Sequence, residues 1–206
     1  TKQDFALRRN VWLAVTAATF LAHDFWLAML AVALIVGFAA RRENNPVALY
    51  CVLLFAVPQF AVPIPGLGVI NKLFDIEYPR VLALVLLLPA AVRLFLNAGA
   101  SNPRLRVPDM LFGAYFVYVI IVNATSVSIT VLMRDIIYIV LDHALLYYVI
   151  TRAVVDRRRL VDVMAAFVMG LVVISLVAIF ENLRSWLVYE SLRGPLGVPD
   201  VDLTMY

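Results

Sequence analysis

Cysteine and histidine are scarce in this chain of 206 residues, and their scarcity excludes several kinds of site. The single cysteine, Cys51, rules out an intrachain disulfide and argues against zinc held by thiolates. The two histidines, His23 and His143, do not have the spacing of a metal site. Gly66-Leu67-Gly68 is too short for a nucleotide-binding loop and follows no predicted strand, so we interpret it as a turn. We therefore expect neither a metal nor a cofactor.

Charge is also sparse. Charged residues make up only 15% of the chain, whereas apolar residues make up 64% and the mean hydropathy is +0.94. Ordinary soluble domains contain roughly 45–50% apolar residues, so the composition excludes a soluble domain and indicates a protein dissolved in lipid. The first residue is Thr1 rather than methionine, and the chain ends at Tyr206 just after a polar turn. We therefore expect a fragment of a longer protein.

Seven apolar stretches predict membrane-spanning helices, if flanking basic side chains reach out to the headgroups. The predicted fold class is all-α, a polytopic membrane protein with about seven transmembrane helices in one transmembrane domain over residues 1–206, which we expect to be part of a bundle of about twelve. Arg8 and Arg9 are expected to snorkel from the short first helix. A signal peptide is the alternative for residues 1–22, but Phe20 and Ala22 make a poor cleavage site. The predicted helices cover 11–22, 25–40, 47–61, 81–96, 108–122, 129–150 and 160–180.

Two further segments are predicted to lie outside the hydrocarbon. Prolines and glycines preclude regular helix across residues 62–78, which we predict to be an outer loop. Residues 181–206 mix aromatic and charged side chains, a pattern typical of a segment that lies at the membrane interface.

The basic residues are distributed unevenly between the two predicted faces. If the helices alternate in direction, twelve of the seventeen fall on one side. The positive-inside rule then predicts a cytoplasmic amino terminus and an outer carboxyl end. The net charge of +3 is thereby interpreted as an orientation signal and not as a nucleic-acid patch. The twelve are Lys2, Arg8, Arg9, Arg41, Arg42, Arg93, Arg104, Arg106, Arg152, Arg157, Arg158 and Arg159.

The predicted sixth helix is the most polar one. Asp135, Tyr138 and Asp142 are spaced by three and four residues, so they share one helix face, with Arg134 and His143 beside them. Charge inside a membrane is costly, so this face should point into the protein or a wet cavity. It could serve as a proton relay or an anion-binding wall. The structural alternative is that Arg134 pairs with Asp135 while Asp142 and His143 bond to neighbouring helices.

In the outer loop, Lys72 and Arg80 flank the acidic residues Asp75 and Glu77. Arg80 lies where the fourth helix is predicted to begin. A helix amino terminus together with an arginine can hold a phosphate through exposed N–H groups and paired hydrogen bonds. The alternatives are an arginine that snorkels to the interface and an ion pair with Glu77.

One resemblance follows from these residues. The run PIPGLG over 63–68, Ile70-Asn71 and Tyr78-Pro79-Arg80, which leads into VLALVLLLP, resembles the amino-terminal half of the O-antigen ligase and polymerase family. The run SWLVYESLRGPLGVP near the carboxyl end is similar to the stretch before that family's central region. Members have about a dozen helices and a large outer loop that carries catalytic arginine and histidine. This chain ends before such a loop, so neither histidine matches the catalytic one.

The resemblance implies a membrane glycosyltransferase of the bacterial inner membrane, whose carboxyl end in this chain is periplasmic. Its reaction would transfer a glycan from an undecaprenyl-pyrophosphate carrier to lipid A-core or another glycan or lipid acceptor, without a nucleotide sugar or an obligatory metal. Its partners would be the lipid-linked donor, the acceptor and membrane lipids, but no nucleic acid. For the departing pyrophosphate the candidate cations are Arg80 first, then Lys72, Arg134 and Arg193; the catalytic base stays unassigned.

Two other functions stay open at this point. One is an ion- or proton-coupled transporter half in which the sixth helix forms the polar pathway. The other is a membrane scaffold without catalytic activity.

Overall fold

The computed structural model describes residues 2–65, 72–97, 107–125 and 127–198. Over these ranges the chain forms seven helices, one pair of antiparallel strands and a short 3-10 turn at Glu190–Leu192. Five helices are regular: α1 Lys2–Leu21, α2 Phe25–Ala40, α3 Pro46–Leu53, α5 Val107–Ala124 and α7 Arg157–Arg184. Helix α4 consists of Tyr78–Leu82, a π-helical turn at Ala83–Leu87 and Leu88–Asn97. Helix α6 consists of Ile129–Tyr138, a π-helical turn at Ile139–Ala144 and Leu145–Ala153. The strands are β1 Val62–Pro65 and β2 Lys72–Ile76.

The predicted architecture of seven spanning helices is wrong. Among the described residues, three helices are long and apolar enough to cross a membrane, namely Tyr78–Leu96, Val107–Ala124 and Arg157–Arg184. Helix α2 is apolar but has only 16 residues, and α3 has only 8. Helices α1 and α6 are long enough, but each carries several charged side chains within its length. Counting apolar runs therefore overestimated the spans, and the bundle of about twelve helices loses its support as well.

The fold is also not all-α, because residues predicted to be an irregular outer loop contain the strand pair. Val62 lies opposite Ile76, Pro63 opposite Asp75 and Pro65 opposite Lys72, with an irregularity between the two prolines. Proline lacks a backbone N–H but is tolerated in an edge strand, and both strands of a two-stranded sheet are edges. The predicted turn at Gly66-Leu67-Gly68 and the Ile70-Asn71 pair lie outside the described residues.

Helices α1 and α2, predicted over 11–22 and 25–40, pack against each other and are joined by a short turn. Helix α1 ends at Leu21 and α2 begins at Phe25, so the turn contains His23 and Asp24. The Asp24 carboxylate accepts a hydrogen bond of 3.0 Å from the Leu27 N–H, which satisfies one of the free donors at the start of α2.

Helix α3 lies at the centre of the packed region, in contact with α1, α4, α6 and α7. Val47, Leu49 and Leu53 are completely buried there. The third helix, predicted over 47–61 and bent or ended near Pro58, ends at Leu53, and the chain continues through turns. Pro58 favours this early end because, in a continued helix, its ring would clash with the Leu54 carbonyl and its missing N–H would leave that carbonyl without a partner.

Contacts between distant segments define two ends of the molecule. At the end that carries the strand pair, the Phe25 N–H donates to the Leu196 carbonyl over 3.0 Å, and the Tyr189 hydroxyl donates to the Phe55 carbonyl over 3.2 Å. We call this the hairpin end, after the hairpin formed by the strands β1 and β2. The other end brings together the start of α1, the α2–α3 loop and the start of α7, and we call it the basic end.

The last described segment, residues 185–198, turns back onto the hairpin end. Leu192, Leu196 and Val198 are buried there and belong to the apolar core. The remainder of the predicted interfacial segment, 199–206, lies outside the described residues. Helix α5, in contrast, has no buried residue among those described, as suits a helix whose surface faces lipid.

Candidate functional site

The start of α4 is fixed at the hairpin end by one buried tyrosine. Tyr78 is completely buried, and its hydroxyl donates a hydrogen bond of 2.8 Å to the Leu53 carbonyl at the end of α3. Pro79 occupies the first turn of α4, where its missing N–H has no helical partner to lose. The strand β2 therefore leads into α4 at a fixed position, and Arg80 follows in the same turn.

The Arg80 guanidinium is buried and is bound on several sides. Its Nε and Nη2 donate to Asp142 on α6, at 3.0 Å to Oδ1 and 2.8 Å to Oδ2. Its Nη1 donates to the Asp75 carbonyl over 2.7 Å and lies 3.3 Å from Oε1 of Glu77. Its Cζ lies 4.1 Å from the ring centre of Tyr138. Arg80 is thus the residue that joins β2, α4 and α6.

Tyr138 and Asp75 form a second bridge between the hairpin and α6. The Tyr138 hydroxyl donates to Oδ2 of Asp75 and accepts from the Asp75 N–H, both at 2.9 Å. The other oxygen, Oδ1 of Asp75, lies 2.7 Å from Nζ of Lys72. Every polar group in this bridge therefore has a partner, as buried polar networks require.

We refer to these residues together as the Arg80 cluster: Lys72, Asp75, Glu77, Arg80, Tyr138 and Asp142. It contains two cations and three carboxylates. Burial raises the pKa of Glu77; Arg80 opposes this rise, whereas Asp142 and Asp75 add to it. The cluster thus has one carboxylate more than its cations can neutralise, and Glu77 is the group whose protonation the surroundings favour.

Two π-helical turns adjoin the Arg80 cluster. One, Ala83–Leu87, begins three residues after Arg80, and the other, Ile139–Ala144, contains Asp142. The two turns contact each other across the α4–α6 interface. Such turns are uncommon and occur frequently at functional sites. Both π-helical turns of the described backbone therefore lie at the α4–α6 interface.

Four of the eight predicted site residues, Lys72, Arg80, Tyr138 and Asp142, meet in the Arg80 cluster. The shared face of Tyr138 and Asp142 and the proposed pair of Arg80 with Glu77 are both present.

The other four predicted site residues lie outside the Arg80 cluster. Arg134 and Asp135 do not pair with each other as the structural alternative suggested, and within the described chain neither makes an ion pair. His143 is exposed, and its side chain makes no hydrogen bond to any described residue. Arg193 lies in the segment that follows α7, with Nε 2.6 Å from Oε1 of Glu190 and Cζ 5.4 Å from the ring centre of Phe60.

Sequence reasoning missed a second network, at the basic end, which we call the Arg8 cluster. Arg8 donates to both oxygens of Glu43 at 3.1 and 2.8 Å and to both oxygens of Asp162 at 2.7 and 2.8 Å. Asn45 donates to Oδ2 of Asp162 over 3.0 Å. Burial lowers the pKa of Arg8, but the bonds to Asp162 and Glu43 outweigh this effect and raise it overall.

Arg8 was expected to snorkel to the headgroups, and that expectation is wrong because it is buried between two carboxylates. The signal that could have indicated this role is Asp162, an isolated acid within an apolar helix.

The Arg80 cluster has the groups needed to bind an anion and to take up a proton. A buried guanidinium in a forked pair with a carboxylate can exchange that partner for another planar or tetrahedral anion. A carboxylate with a raised pKa can take up a proton near it. In the described part of the chain, no group of three or more histidine, cysteine, aspartate or glutamate side chains is arranged to hold a metal ion.

Comparison with known protein families, with curated proteins and with solved structures gave no match.

Proposed function

We propose that this protein takes part in glycan transfer from an undecaprenyl-pyrophosphate carrier to lipid A-core or to another glycan or lipid acceptor. The reaction belongs to the outer face of a bacterial inner membrane, and the hairpin end faces the periplasm. The acceptor hydroxyl attacks the anomeric carbon, the bond from that carbon to the pyrophosphate oxygen breaks, and a base takes the hydroxyl proton. The carrier pyrophosphate leaves with the electron pair and gains negative charge that a cation must stabilise.

The forked contact between Arg80 and Asp142 is the observation that supports this role. The geometry in which a guanidinium holds a carboxylate side on is also the geometry in which it holds a phosphate. The Asp142 side chain is 30% exposed, so an incoming anion has access to the pair. Lys72 is 38% exposed at the same hairpin and supplies a second cation on this side. In this proposal the pyrophosphate displaces Asp142 from Arg80.

Glycan transfer by the intact protein, reconstituted with a lipid-linked donor and an acceptor, tests the proposal. Arg80→Ala is expected to lower the rate by about a hundredfold, the loss typical when a preorganised charge partner of the transition state is removed. Arg80→Lys, which keeps the charge but loses the fork, should retain part of the activity. Arg157→Ala at the basic end is the matched control and should transfer at the normal rate. Normal transfer by a folded Arg80→Ala variant would refute the role given to Arg80.

The charge of the Arg80 cluster favours a second candidate, the ion- or proton-coupled transporter. Three carboxylates face two cations, and an excess of acid suits a proton or cation better than a pyrophosphate. Asp142 lies in a π-helical turn of α6, the helix that was predicted as the polar pathway. In sealed vesicles, this candidate predicts flux that follows a pH or ion gradient and is lost in Asp142→Asn. Vesicles without any gradient-dependent flux would eliminate it.

A further inference from the structure

A recess at the basic end carries an excess of positive charge, whereas the Arg80 cluster has more carboxylates than cations. It is a cavity of about 460 Å³ between α2, α4 and the junction of α6 with α7. Four arginines line it, and each comes from a different helix terminus: Arg41 follows α2, Arg93 lies in the last part of α4, Arg152 lies in the last turn of α6 and Arg159 lies in the first turn of α7. We call this cavity the arginine recess.

Two of the four arginines are held in place by the protein. Nη2 of Arg152 lies 3.4 Å from Oδ2 of Asp109, and its Cζ lies 4.3 Å from the ring centre of Tyr148. Nη1 of Arg159 donates to the Ala153 carbonyl over 3.0 Å, which satisfies a free acceptor at the end of α6. Each of these guanidinium groups still has donors left for a ligand.

The other two arginines have no such partner. The side chains of Arg41 and Arg93 are exposed, and neither makes a hydrogen bond or an ion pair with any residue in the described part of the chain. Two cations that share a cavity repel each other unless an anion lies between them. Arg41 and Arg93 are therefore the principal donors that the recess offers.

The acidic residue that lines the recess does not neutralise it. Both oxygens of Glu43 accept hydrogen bonds from Arg8, and its side chain is completely buried. Its carboxylate therefore faces Arg8, which it shares with Asp162, and even a full negative charge on Glu43 is outnumbered by the four arginines of the recess. The recess keeps an excess of positive charge and favours an anion.

The walls of the recess indicate which anion suits it. Val85, Leu86 and Leu94 of α4 form an apolar side next to the arginines. Two of the three helices that could cross a membrane, Tyr78–Leu96 and Arg157–Arg184, have one end at this recess. Arginines at the ends of such helices lie at the level of the lipid headgroups. A ligand with a phosphate and an adjoining acyl chain would match both the charge and the apolar wall.

We propose that the arginine recess binds the phosphate of an anionic phospholipid headgroup, with Arg41 and Arg93 as principal ligands and Arg152 and Arg159 in support. Guanidinium groups pair with phosphate oxygens through two parallel hydrogen bonds, and basic pockets between membrane helices are suited to phosphate headgroups. The first carbons of the acyl chains lie along Val85 and Leu94. This inference does not depend on glycan transfer, because it concerns the end opposite to the Arg80 cluster.

Selective lipid retention tests the inference. The intact protein is purified in a neutral detergent doped with equal amounts of phosphatidylglycerol and phosphatidylcholine, and the bound lipids are measured by mass spectrometry across a dilution series. We expect phosphatidylglycerol to be retained preferentially. The double variant Arg41→Gln/Arg93→Gln should weaken its retention by about tenfold, the effect of losing charge-assisted contacts.

Arg157→Gln/Arg158→Gln is the matched control, since it removes the same charge from the same end outside the recess. This control should retain phosphatidylglycerol as the wild type does. Equal loss in both double variants would overturn the inference, because it would mean a general attraction to the basic end.

Competition with sodium phosphate distinguishes a lipid site from a site for free phosphate. Millimolar phosphate should leave phosphatidylglycerol bound, because the free ion lacks the contacts of the acyl chains. Displacement by phosphate alone would overturn the assignment to a lipid. If the double variant does not give a monodisperse protein, the single variant Arg93→Gln, on an exposed side chain, provides the same comparison against Arg158→Gln.

Discussion

Arg80 and Asp142 lie 62 positions apart in the chain and form a forked ion pair, with Nε to Oδ1 at 3.0 Å and Nη2 to Oδ2 at 2.8 Å. The pair joins the first turn of α4 to the π-helical turn of α6. Because the guanidinium also donates to the Asp75 carbonyl, the same residue holds the strand β2 against both helices. Together with the Tyr138–Asp75 bridge, this contact holds the strand pair, α4 and α6 together at the candidate site.

A double-mutant cycle measures the coupling free energy between Arg80 and Asp142. Arg80→Met alone should lower the free energy of unfolding by about 2–3 kcal/mol, because Asp142 is left without its partner in a partly buried place. Asp142→Leu alone should have a comparable cost. The double variant should be more stable than either single one, since no unpaired charge remains. Thermal unfolding in detergent provides the measurement, and strictly additive costs would mean that the pair contributes no coupling.

Tyr138→Phe isolates the hydroxyl bridge to Asp75. The variant keeps the ring beneath Arg80 but removes the two hydrogen bonds at 2.9 Å, so we expect a loss of about 1 kcal/mol. Tyr115→Phe on α5, where the side chain is 55% exposed, is the control and should leave stability unchanged. If both variants unfold at the wild-type temperature, the bridge does not stabilise the hairpin.

The pH dependence of stability should carry the signature of Glu77. Burial raises its pKa in the folded state above the ordinary value of 4.5. A carboxyl with a raised folded pKa contributes stability that is present below the unfolded pKa and is lost as the pH rises through the folded pKa. Glu77→Gln does not titrate, so its stability relative to the wild type should increase as the pH is raised from 4.5 upwards. A difference that stays constant or decreases across a pH series of unfolding temperatures would contradict this assignment.

The sequence contained enough information to place one side of the Arg80 cluster. The spacing of Tyr138 and Asp142 put them on one helix face, and the apolar run that follows Arg80 placed this residue at a helix start. The partnership of Arg80 with Asp142 could not be predicted, because it depends on how α4 packs against α6 and not on local spacing. The π-helical turns beside both residues have no pattern in the sequence that would have indicated them.

The errors in the predicted fold have a similar origin. Apolar content identified helices correctly, but the number of spans also depends on where each helix ends and on how many charges it carries. Pro63 and Pro65 favour an irregular loop in the sequence, but an edge strand tolerates both prolines. Arg8 was assigned to the headgroups because its partners, Glu43 and Asp162, are 35 and 154 positions away.

Gly170 should be essential for the packing of α7 on α3. A Cβ at this position would lie 3.1 Å from Cδ2 of Phe55 and 3.4 Å from the Cys51 carbonyl, so a large side chain must push the helices apart. Gly170→Leu should therefore cost about 1–3 kcal/mol. Gly113→Leu on α5 is the matched control, because a Cβ there has no neighbour within 4 Å. Equal unfolding temperatures for the two variants would mean that α7 is not held this closely.

The Arg8 cluster allows the sharpest comparison of neighbouring residues, since Arg8 and Arg9 have the same charge but opposite environments. Arg8 binds two carboxylates that belong to other segments, whereas Arg9 is exposed and bonds to its neighbour Asn10. Arg8→Gln leaves the buried Glu43 without its cation and should lower the free energy of unfolding by about 2–3 kcal/mol. Arg9→Gln should leave it unchanged.

Adding Glu43→Gln to Arg8→Gln should recover part of the loss, because it removes the stranded charge while its side chain can still form hydrogen bonds. The unfolding temperatures of the wild type, Arg8→Gln, Arg9→Gln and the double variant are measured in the same detergent. They show how much of the loss in Arg8→Gln comes from the unpaired charge of Glu43. If the double variant is as unstable as Arg8→Gln, the cost does not come from the unpaired Glu43 carboxylate but from lost packing around Arg8 or from Asp162, which loses the same cation in both variants.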